Sequence, residues 1–85
     1  MNKLELIFKA LSNRRRLKII HFLKSRPSSV AEVAAELNIS FNATSKHLVI
    51  LERAGILDKK QHKLFVFYFL APNQPEFLEK ILFIL

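Results

Sequence analysis

Residues 40–55, SFNATSKHLVILERAG, decide the fold of this chain. Ser40 is a residue type that caps helix N-termini, and Gly55 suits the left-handed position that follows a helix C-terminus. Between them, one helical face is small or apolar and is predicted to be buried: Thr44, Leu48, Leu51 and Ala54. The opposite face is predicted to be exposed: Asn42, Ser45, Lys46, Val49 and Arg53. The stretch therefore predicts an amphipathic helix.

A shorter helix is predicted immediately before this one. Ser29 followed by Glu32 has the spacing of a capping box, and the inward positions that follow are Val30, Val33, Ala34 and Leu37. Asn38, Ile39 and Ser40 leave only a brief turn between the two helices. Two helices joined by such a turn form a helix-turn-helix, whose second helix enters the major groove of DNA.

Two further helices precede this pair. The first, at about residues 3–11, has an apolar stripe of Leu4, Ile7, Phe8 and Leu11. The second is capped by Ser12 or Asn13, faces inward with Leu17, Ile20 and Leu23, and has cations crowded into its first turns: Arg14, Arg15, Arg16 and Lys18. Because cations oppose the dipole at a helix N-terminus, we expect an anion nearby or, for Arg16, an internal carboxylate.

After Gly55 the apolar period changes from helical to two. Ile56 and Leu57 open a short strand, residues 59–63 form a polar turn, and a second strand runs from Leu64 to Leu70. A break at residues 71–75 precedes a last helix at about 75–85 that is apolar on more than one face. The predicted fold is mainly α with a small β-hairpin, α-α-α-α-β-β-α, a single winged helix-turn-helix domain over residues 1–85.

Both faces of the second strand are apolar. One face is formed by Leu64, Val66, Tyr68 and Leu70, and the other by Phe65, Phe67 and Phe69. One side is expected to meet the core, and the other needs cover from the terminal helices or from a partner. Together with the two-sided last helix, this strand favours a dimer.

Composition narrows the functional classes. The chain has 85 residues, no cysteine, one glycine and a formal charge of +7. Without cysteine there is no disulfide, thiolate catalysis or Cys-based zinc site, and one glycine is too few for a glycine-rich phosphate loop. No apolar run is long enough to span a membrane, and Lys3, Glu5 and Lys9 interrupt the start of any signal peptide. We expect a cytoplasmic protein that is not an enzyme, carries no cofactor or metal, and binds nucleic acid.

The exposed face of the fourth helix suggests individual roles. Asn42 suits an adenine edge, Lys46 a guanine or a phosphate, and Ser45 either base or backbone. Val49 suits a thymine methyl group, and Arg53 a phosphate. The predicted DNA-binding set comprises Ser40, Asn42, Ser45, Lys46, Val49, Arg53, Lys59, Lys60, His62 and Lys63.

The last four of these residues lie in the polar turn of the wing, where cations suit phosphate binding, although a solvated charged turn is the alternative. No glycine is present at the tip, so His62 or Lys63 must turn the chain at some cost in strain. Phe41 also has two interpretations, since it is expected either to staple the helix start to the core or to meet a thymine methyl group.

Three segments together resemble the ArsR family of winged-helix repressors. They are LSNRRRLKII at residues 11–20, SKHLVILERAGI at residues 45–56, and Val66-Phe67-Tyr68. The resemblance covers about residues 4–70 and is most specific in Ser45-x-His47-Leu48-x-x-Leu51-x-x-Ala54-Gly55. It implies a homodimeric transcriptional repressor whose interface is formed by the terminal helices, about residues 3–11 and 75–85. The resemblance further implies that the dimer binds a palindromic operator of double-stranded DNA through helix 40–54. It also implies that Ser45 and Lys46 lie at DNA-contact positions.

The departures from this family concern metal sensing. Metal-sensing members carry a cysteine motif in the helix that corresponds to residues 30–37, where this chain has Val33, Ala34 and Ala35. The last helix offers Glu76 and Glu79 without a histidine, which is a poor transition-metal site. His47 is expected to make a structural hydrogen bond, and His21 to be an ordinary helix-face residue.

Two other functions remain open at this point. A winged helix also serves as a protein-interaction module, because the fold alone does not settle function. The positive charge suits a nonspecific nucleic-acid or double-stranded RNA binder equally well. The exposed row of Asn42, Lys46 and Arg53 favours sequence-specific DNA binding, and a preference for one operator over bulk DNA is the discriminating observation.

Overall fold

A computed structural model describes all residues, 1–85, as five helices and three strands. In chain order they are α1 (Lys3–Leu11), α2 (Arg14–Leu23), β1 (Ser28–Ser29), α3 (Val30–Leu37), α4 (Phe41–Arg53), β2 (Leu57–His62), β3 (Phe65–Leu70) and α5 (Glu76–Ile84). The predicted winged helix-turn-helix order is confirmed, with β1 as an additional strand.

The caps predicted for the helix-turn-helix are present. Ser29 and Glu32 form a reciprocal capping box at the start of α3. Asn38 ends that helix in the left-handed conformation, at φ 55°, and Ser40 Oγ accepts a hydrogen bond from the backbone N–H of Ala43. These local bonds satisfy the free backbone groups at the helix ends and set the angle between α3 and α4.

Gly55 ends α4 because of its backbone conformation. Its φ of 78° lies in the region that residues with a side chain rarely adopt. A Cβ at this position would lie 2.9 Å from Lys3 Nζ, but that atom ends a flexible side chain that can move aside. The chain then turns into β2, and Gln74 Nε2 donates to the carbonyl oxygens of Gly55, Ile56 and Ala71, which fixes the entry to the hairpin.

The sheet has three strands in the order β1-β3-β2, all antiparallel. The short strand β1 was not predicted, because two serines have no apolar period, yet Ser28 pairs with Tyr68 and is fully buried. The polar turn predicted at residues 59–63 is wrong in extent. β2 continues to His62, and only Lys63 and Leu64 connect it to β3.

The core forms where α4 packs against the other helices and the base of the sheet. The predicted inward stripe of α4 is confirmed, since Thr44, Leu48, Leu51 and Ala54 are all buried. In α1 the prediction is partly wrong, because the buried residues are Ile7 and Ala10 while Leu4 and Phe8 remain about half exposed. The other side of this helix therefore presents apolar side chains to the surface.

Candidate nucleic-acid interface

The outer surface of α4 carries the row of side chains that the sequence predicts. Asn42, Lys46 and Arg53 are exposed, and Ser45 and Val49 are half-buried between them. A shallow depression of about 330 Å³ lies along this row, lined by Ser45, Lys46, Val49, Ile50 and Arg53. Its lining contains two cations and no acidic side chain, so the surface suits a polyanion.

Ser40 begins this row and has a structural task as well. Its hydroxyl oxygen caps α4, and its carbonyl oxygen accepts a hydrogen bond of 2.8 Å from Thr44 Oγ1. The residue is exposed, so the hydroxyl proton stays available to an acceptor outside the protein.

A groove of about 430 Å³ separates α4 from the wing. It is lined by Val30, Ser45, Lys59, Gln61, Val66 and Tyr68. Lys59 Nζ also lies 3.8 Å from Glu52 Oε1, which holds the lysine beside α4. Gln61 was missed in the sequence analysis, although the alternation of a strand places it on the same face as Lys59.

The strand register separates the predicted wing residues into two faces. Lys60 lies opposite Phe67 and His62 opposite Phe65, so these two side chains share the face of the sheet that points away from the α4 groove. A depression of about 240 Å³ on this face is lined by Pro27, Lys60, His62, Phe67 and Phe69. The four predicted DNA-binding residues of the wing therefore do not form one cluster: Lys59 is on one face, Lys60 and His62 are on the other, and Lys63 is at the tip.

Lys63 turns the chain at the tip, as the sequence analysis allowed. Its φ of 58° lies in the left-handed region, which costs a lysine about 1 kcal/mol relative to glycine. The residue is exposed, and its carbonyl oxygen accepts a bond of 3.4 Å from Gln61 Nε2. The Lys63 side chain at the tip is thus exposed to solvent.

Phe41 does not staple the start of α4 to the core. Its side chain is 56% exposed and lies outside the core cluster. The ring instead borders an apolar depression of about 310 Å³ together with Leu64 and Phe65 of the wing tip. The staple interpretation is therefore wrong, because Phe41 is itself the first helical residue rather than the residue before the cap.

Arg16 links α4 to the first two helices. Its side chain is 8% exposed. Nε donates to the carbonyl oxygen of Ala10 at 2.7 Å, one terminal nitrogen donates to that of Lys9 at 3.1 Å, and the other lies 3.2 Å from His47 Nδ1. The internal carboxylate expected for Arg16 is wrong, because the carbonyl oxygens at the C-terminal end of α1 accept its hydrogen bonds instead.

His47 makes the structural hydrogen bond that was expected of it. Since a guanidinium only donates, Nδ1 of His47 acts as the acceptor and the ring is neutral. Burial lowers the pKa of His47 below its usual value of 6.5, and the charges of Arg16 and Arg15 lower it further. The hydrogen bond between His47 and Arg16 thereby connects α4 to α2.

The remaining histidine and acidic residues do not assemble a metal site. His21 Nδ1 donates to the carbonyl oxygen of Leu85 at 2.7 Å, so this side chain contacts the end of α5. No group of three or more His, Asp or Glu side chains is placed to hold a metal ion.

A second exposed surface, which we name the terminal-helix surface, consists of apolar side chains of α1 and α5: Leu4, Phe8, Phe77, Phe83 and Ile84. The ring centroids of Phe8 and Phe77 lie 6.4 Å apart, so the two helices meet at this aromatic pair. Leu78 and Leu82 on the other side of α5 are buried in the core. Both terminal helices therefore carry apolar residues on an inner and an outer face.

These features define a class of protein. A helix-turn-helix with an exposed polar reading helix, followed by a basic hairpin, is a winged helix-turn-helix domain. The sequence profile of the family described as "Bacterial regulatory protein, arsR family" matches residues 13–59, more than half of the chain. The chain belongs to this arsR family of transcriptional regulators.

Individual relatives agree with this assignment. The transcriptional activator HlyU of Vibrio cholerae is 32% identical over 80 residues, which are 94% of this chain and 74% of that protein. The transcriptional repressor SdpR of Bacillus subtilis is 34% identical over 62 residues, 73% of this chain and 69% of that protein. These relatives are transcriptional regulators and not enzymes.

Solved structures show the same fold. The structure of HlyU from Vibrio cholerae superposes with a TM-score of 0.82 at 30% identity, over 96% of this chain and 86% of that chain. A homodimeric winged helix-turn-helix DNA-binding domain from Mycobacterium bovis superposes with a TM-score of 0.84 at 22% identity, over 96% and 73% of the two chains. None of the helices in our structure is long and apolar enough to cross a membrane.

Proposed function

We propose that the protein recognises a specific operator in double-stranded DNA by placing α4 in the major groove. The observation that carries the proposal is the row of Asn42, Lys46 and Arg53 on the exposed face of α4. Side chains of this row can donate to base edges and phosphates, and no acidic residue interrupts the depression beside them. The structural links at Ser40, Arg16 and His47 hold the helix in one orientation, which base recognition requires.

The side chains of α4 are proposed to divide the work by their chemistry. Asn42 pairs with an adenine edge, and Lys46 donates to guanine or to a phosphate near it. Ser45 lies in both depressions that flank α4 and serves either base or backbone, and Val49 contacts a thymine methyl group. Arg53, in the last turn, and Ser40, at the first, contact phosphates.

The wing is proposed to bind the phosphate backbone. Lys59, Lys60, His62 and Lys63 are all exposed, and the chain as a whole carries a formal charge of +7. Such contacts release counterions and strengthen binding to any sequence, whereas the discrimination between sequences comes from α4.

The active form is proposed to be a homodimer joined through the terminal-helix surface. Phe83 and Ile84 are each more than three-quarters exposed, an arrangement that costs free energy in a monomer. A two-fold axis through this surface would present two copies of α4 to one side of a duplex, and a palindromic operator is the matching target.

The protein is further proposed to act as a cytoplasmic regulator without catalysis or a cofactor. Support comes from the family, whose members found here are regulators. Because these relatives include both an activator and a repressor, we propose that the position of the operator relative to the promoter sets the direction of regulation, with repression where the two overlap.

The test is selection of bound fragments from a random pool of duplex DNA by the purified protein. We expect a palindrome whose half-sites lie about 10 base pairs apart, or a multiple of this, and an affinity about a thousandfold above that for bulk DNA. Equal affinity for every duplex would instead identify a nonspecific binder. If the protein bound no duplex at all, the proposal would be wrong, and a protein-interaction module would be the alternative function.

A further inference from the structure

Leu64 occupies an unusual place at the tip of the wing. It is 92% exposed, more than any other large apolar side chain in the protein, and it shares the two-residue turn with Lys63. An exposed leucine at the apex of a hairpin contributes nothing to the core. Its position calls for an apolar environment outside the protein.

The charges around Leu64 identify the kind of environment. Lys59 lies on the hairpin face toward α4, whereas Lys60 and His62 lie on the opposite face. Cations on both faces of one hairpin suit a site with phosphates on both sides, and the DNA minor groove is bordered by two phosphate backbones. A protein partner that covered only one face would leave the cations of the other face without a role.

The length of the hairpin agrees with this placement. Each strand has six residues, so the wing extends about 20 Å from its base at the C-terminal end of α4. On one side of a duplex, neighbouring major and minor grooves lie half a turn apart, about 5 base pairs or about 17 Å. With α4 in the major groove, the tip reaches the next minor groove, whose width of about 6 Å admits a side chain but not the hairpin itself.

We infer that Leu64 is an apolar wedge that enters the minor groove beside each half-site, partly unstacks one base step and bends the operator. This inference rests on the proposed function of α4 and adds DNA bending to it. Apolar side chains inserted in this way kink a duplex, and steps such as TA and CA/TG unstack most easily. The selected operator is therefore expected to carry such a step about 5 base pairs outward from the centre of each α4 contact.

The experiment uses the full chain and the duplex selected by the wild-type protein. Dyes at the two ends report bending by energy transfer, and 2-aminopurine at the outer step reports unstacking by its fluorescence. We expect Leu64→Ala to lose both signals and about tenfold in affinity, and Leu64→Phe, which keeps an apolar wedge, to retain them. Lys63→Ala is the matched control at the neighbouring position, and it should weaken binding while the bend persists.

The outcomes separate this inference from the proposed function. If the wild-type protein binds its selected duplex without bending it, or if Leu64→Ala bends it as the wild type does, the wedge is wrong while operator recognition by α4 stands. If the wild-type protein selects no duplex at all, both proposals are wrong. Circular dichroism of Leu64→Ala should match the wild type, because the side chain is almost fully exposed and lies outside the core cluster.

Discussion

The exposed face of α4 and the terminal-helix surface are both formed by short amphipathic helices, but they differ in chemistry. The face of α4 presents Asn42, Lys46 and Arg53, which remain well solvated when the protein is free. The terminal-helix surface presents Phe8, Phe83 and other apolar groups, which water solvates poorly. This difference supports the proposal that the first surface meets its partner reversibly in water, whereas the second joins two copies of the chain.

The largest effect is expected from a charge in the terminal-helix surface. Phe8→Asp places a carboxylate beside Phe77 and should convert the dimer into a monomer, as measured by sedimentation. Because two linked half-sites bind far more tightly than one, operator affinity should fall by about 100-fold or more. Lys9→Ala changes the net charge by the same amount on the same helix and should leave both properties nearly unchanged. A stable wild-type monomer at micromolar concentration would contradict the proposal that the terminal-helix surface joins two copies of the chain.

The second effect concerns Arg16, the residue that connects the two regions. Arg16→Met removes the hydrogen bonds to Lys9, Ala10 and His47. The Lys9 oxygen keeps its bond from Ser12, but the buried carbonyl oxygen of Ala10 and Nδ1 of His47 lose this donor. The free energy of unfolding in urea should decrease by about 2–4 kcal/mol. The exposed neighbour Arg15 supplies the control, since Arg15→Met should change stability by less than about 0.5 kcal/mol. Similar losses for both variants would mean that the buried contacts contribute little.

The sequence predicts the two helices of the helix-turn-helix better than it predicts the contacts of Arg16. The caps at Ser29 and Ser40 and the glycine at position 55 are local signals, so α3 and α4 could be predicted with their ends. Arg16 could be marked as unusual but not explained, because its acceptors are carbonyl oxygens of another helix. Every residue has a backbone carbonyl oxygen, so the sequence does not show which of these oxygens will accept a hydrogen bond from Arg16.

The wing also contains features that could not be predicted from the sequence. Its cations were predicted as one polar turn, because a run of polar residues looks the same in a loop and in an exposed strand. The pairing of His62 with Phe65 extends β2 and places neighbouring lysines on opposite faces. Gln61 was missed for the same reason, since its face depends on the register of the hairpin.

A third, smaller effect distinguishes the wing from α4 in salt dependence. If Lys59 and Lys60 each neutralise one phosphate, alanine at either position should reduce the slope of log affinity against log salt concentration by about one. The loss should be equal on the operator and on unrelated duplex, and titrations at several salt concentrations measure it. An effect confined to the operator would place these lysines among the base-reading residues instead.

The smallest effect is a pH dependence of stability from His47. Burial lowers its pKa in the folded protein, so the unfolded chain takes up a proton more readily. The contribution of the neutral ring is therefore complete above the unfolded value of about 6.5, and stability should decline as the pH falls below it. His47→Gln, which keeps an acceptor for Arg16, should flatten this part of the profile in thermal unfolding from pH 8 to 5. His62→Gln on the exposed wing serves as the control, and a profile unchanged by His47→Gln would show that the ring is not coupled to folding.

The central claim is that α4 reads bases, and Lys46 tests it most directly. Binding of the wild type and Lys46→Ala should be measured on the selected operator and on a scrambled duplex of the same length and composition, with Lys80→Ala on α5 as the control. We predict that Lys46→Ala loses about tenfold to hundredfold on the operator and much less on the scrambled duplex. An equal loss on both duplexes would contradict the account, because Lys46 would then contact only the phosphate backbone.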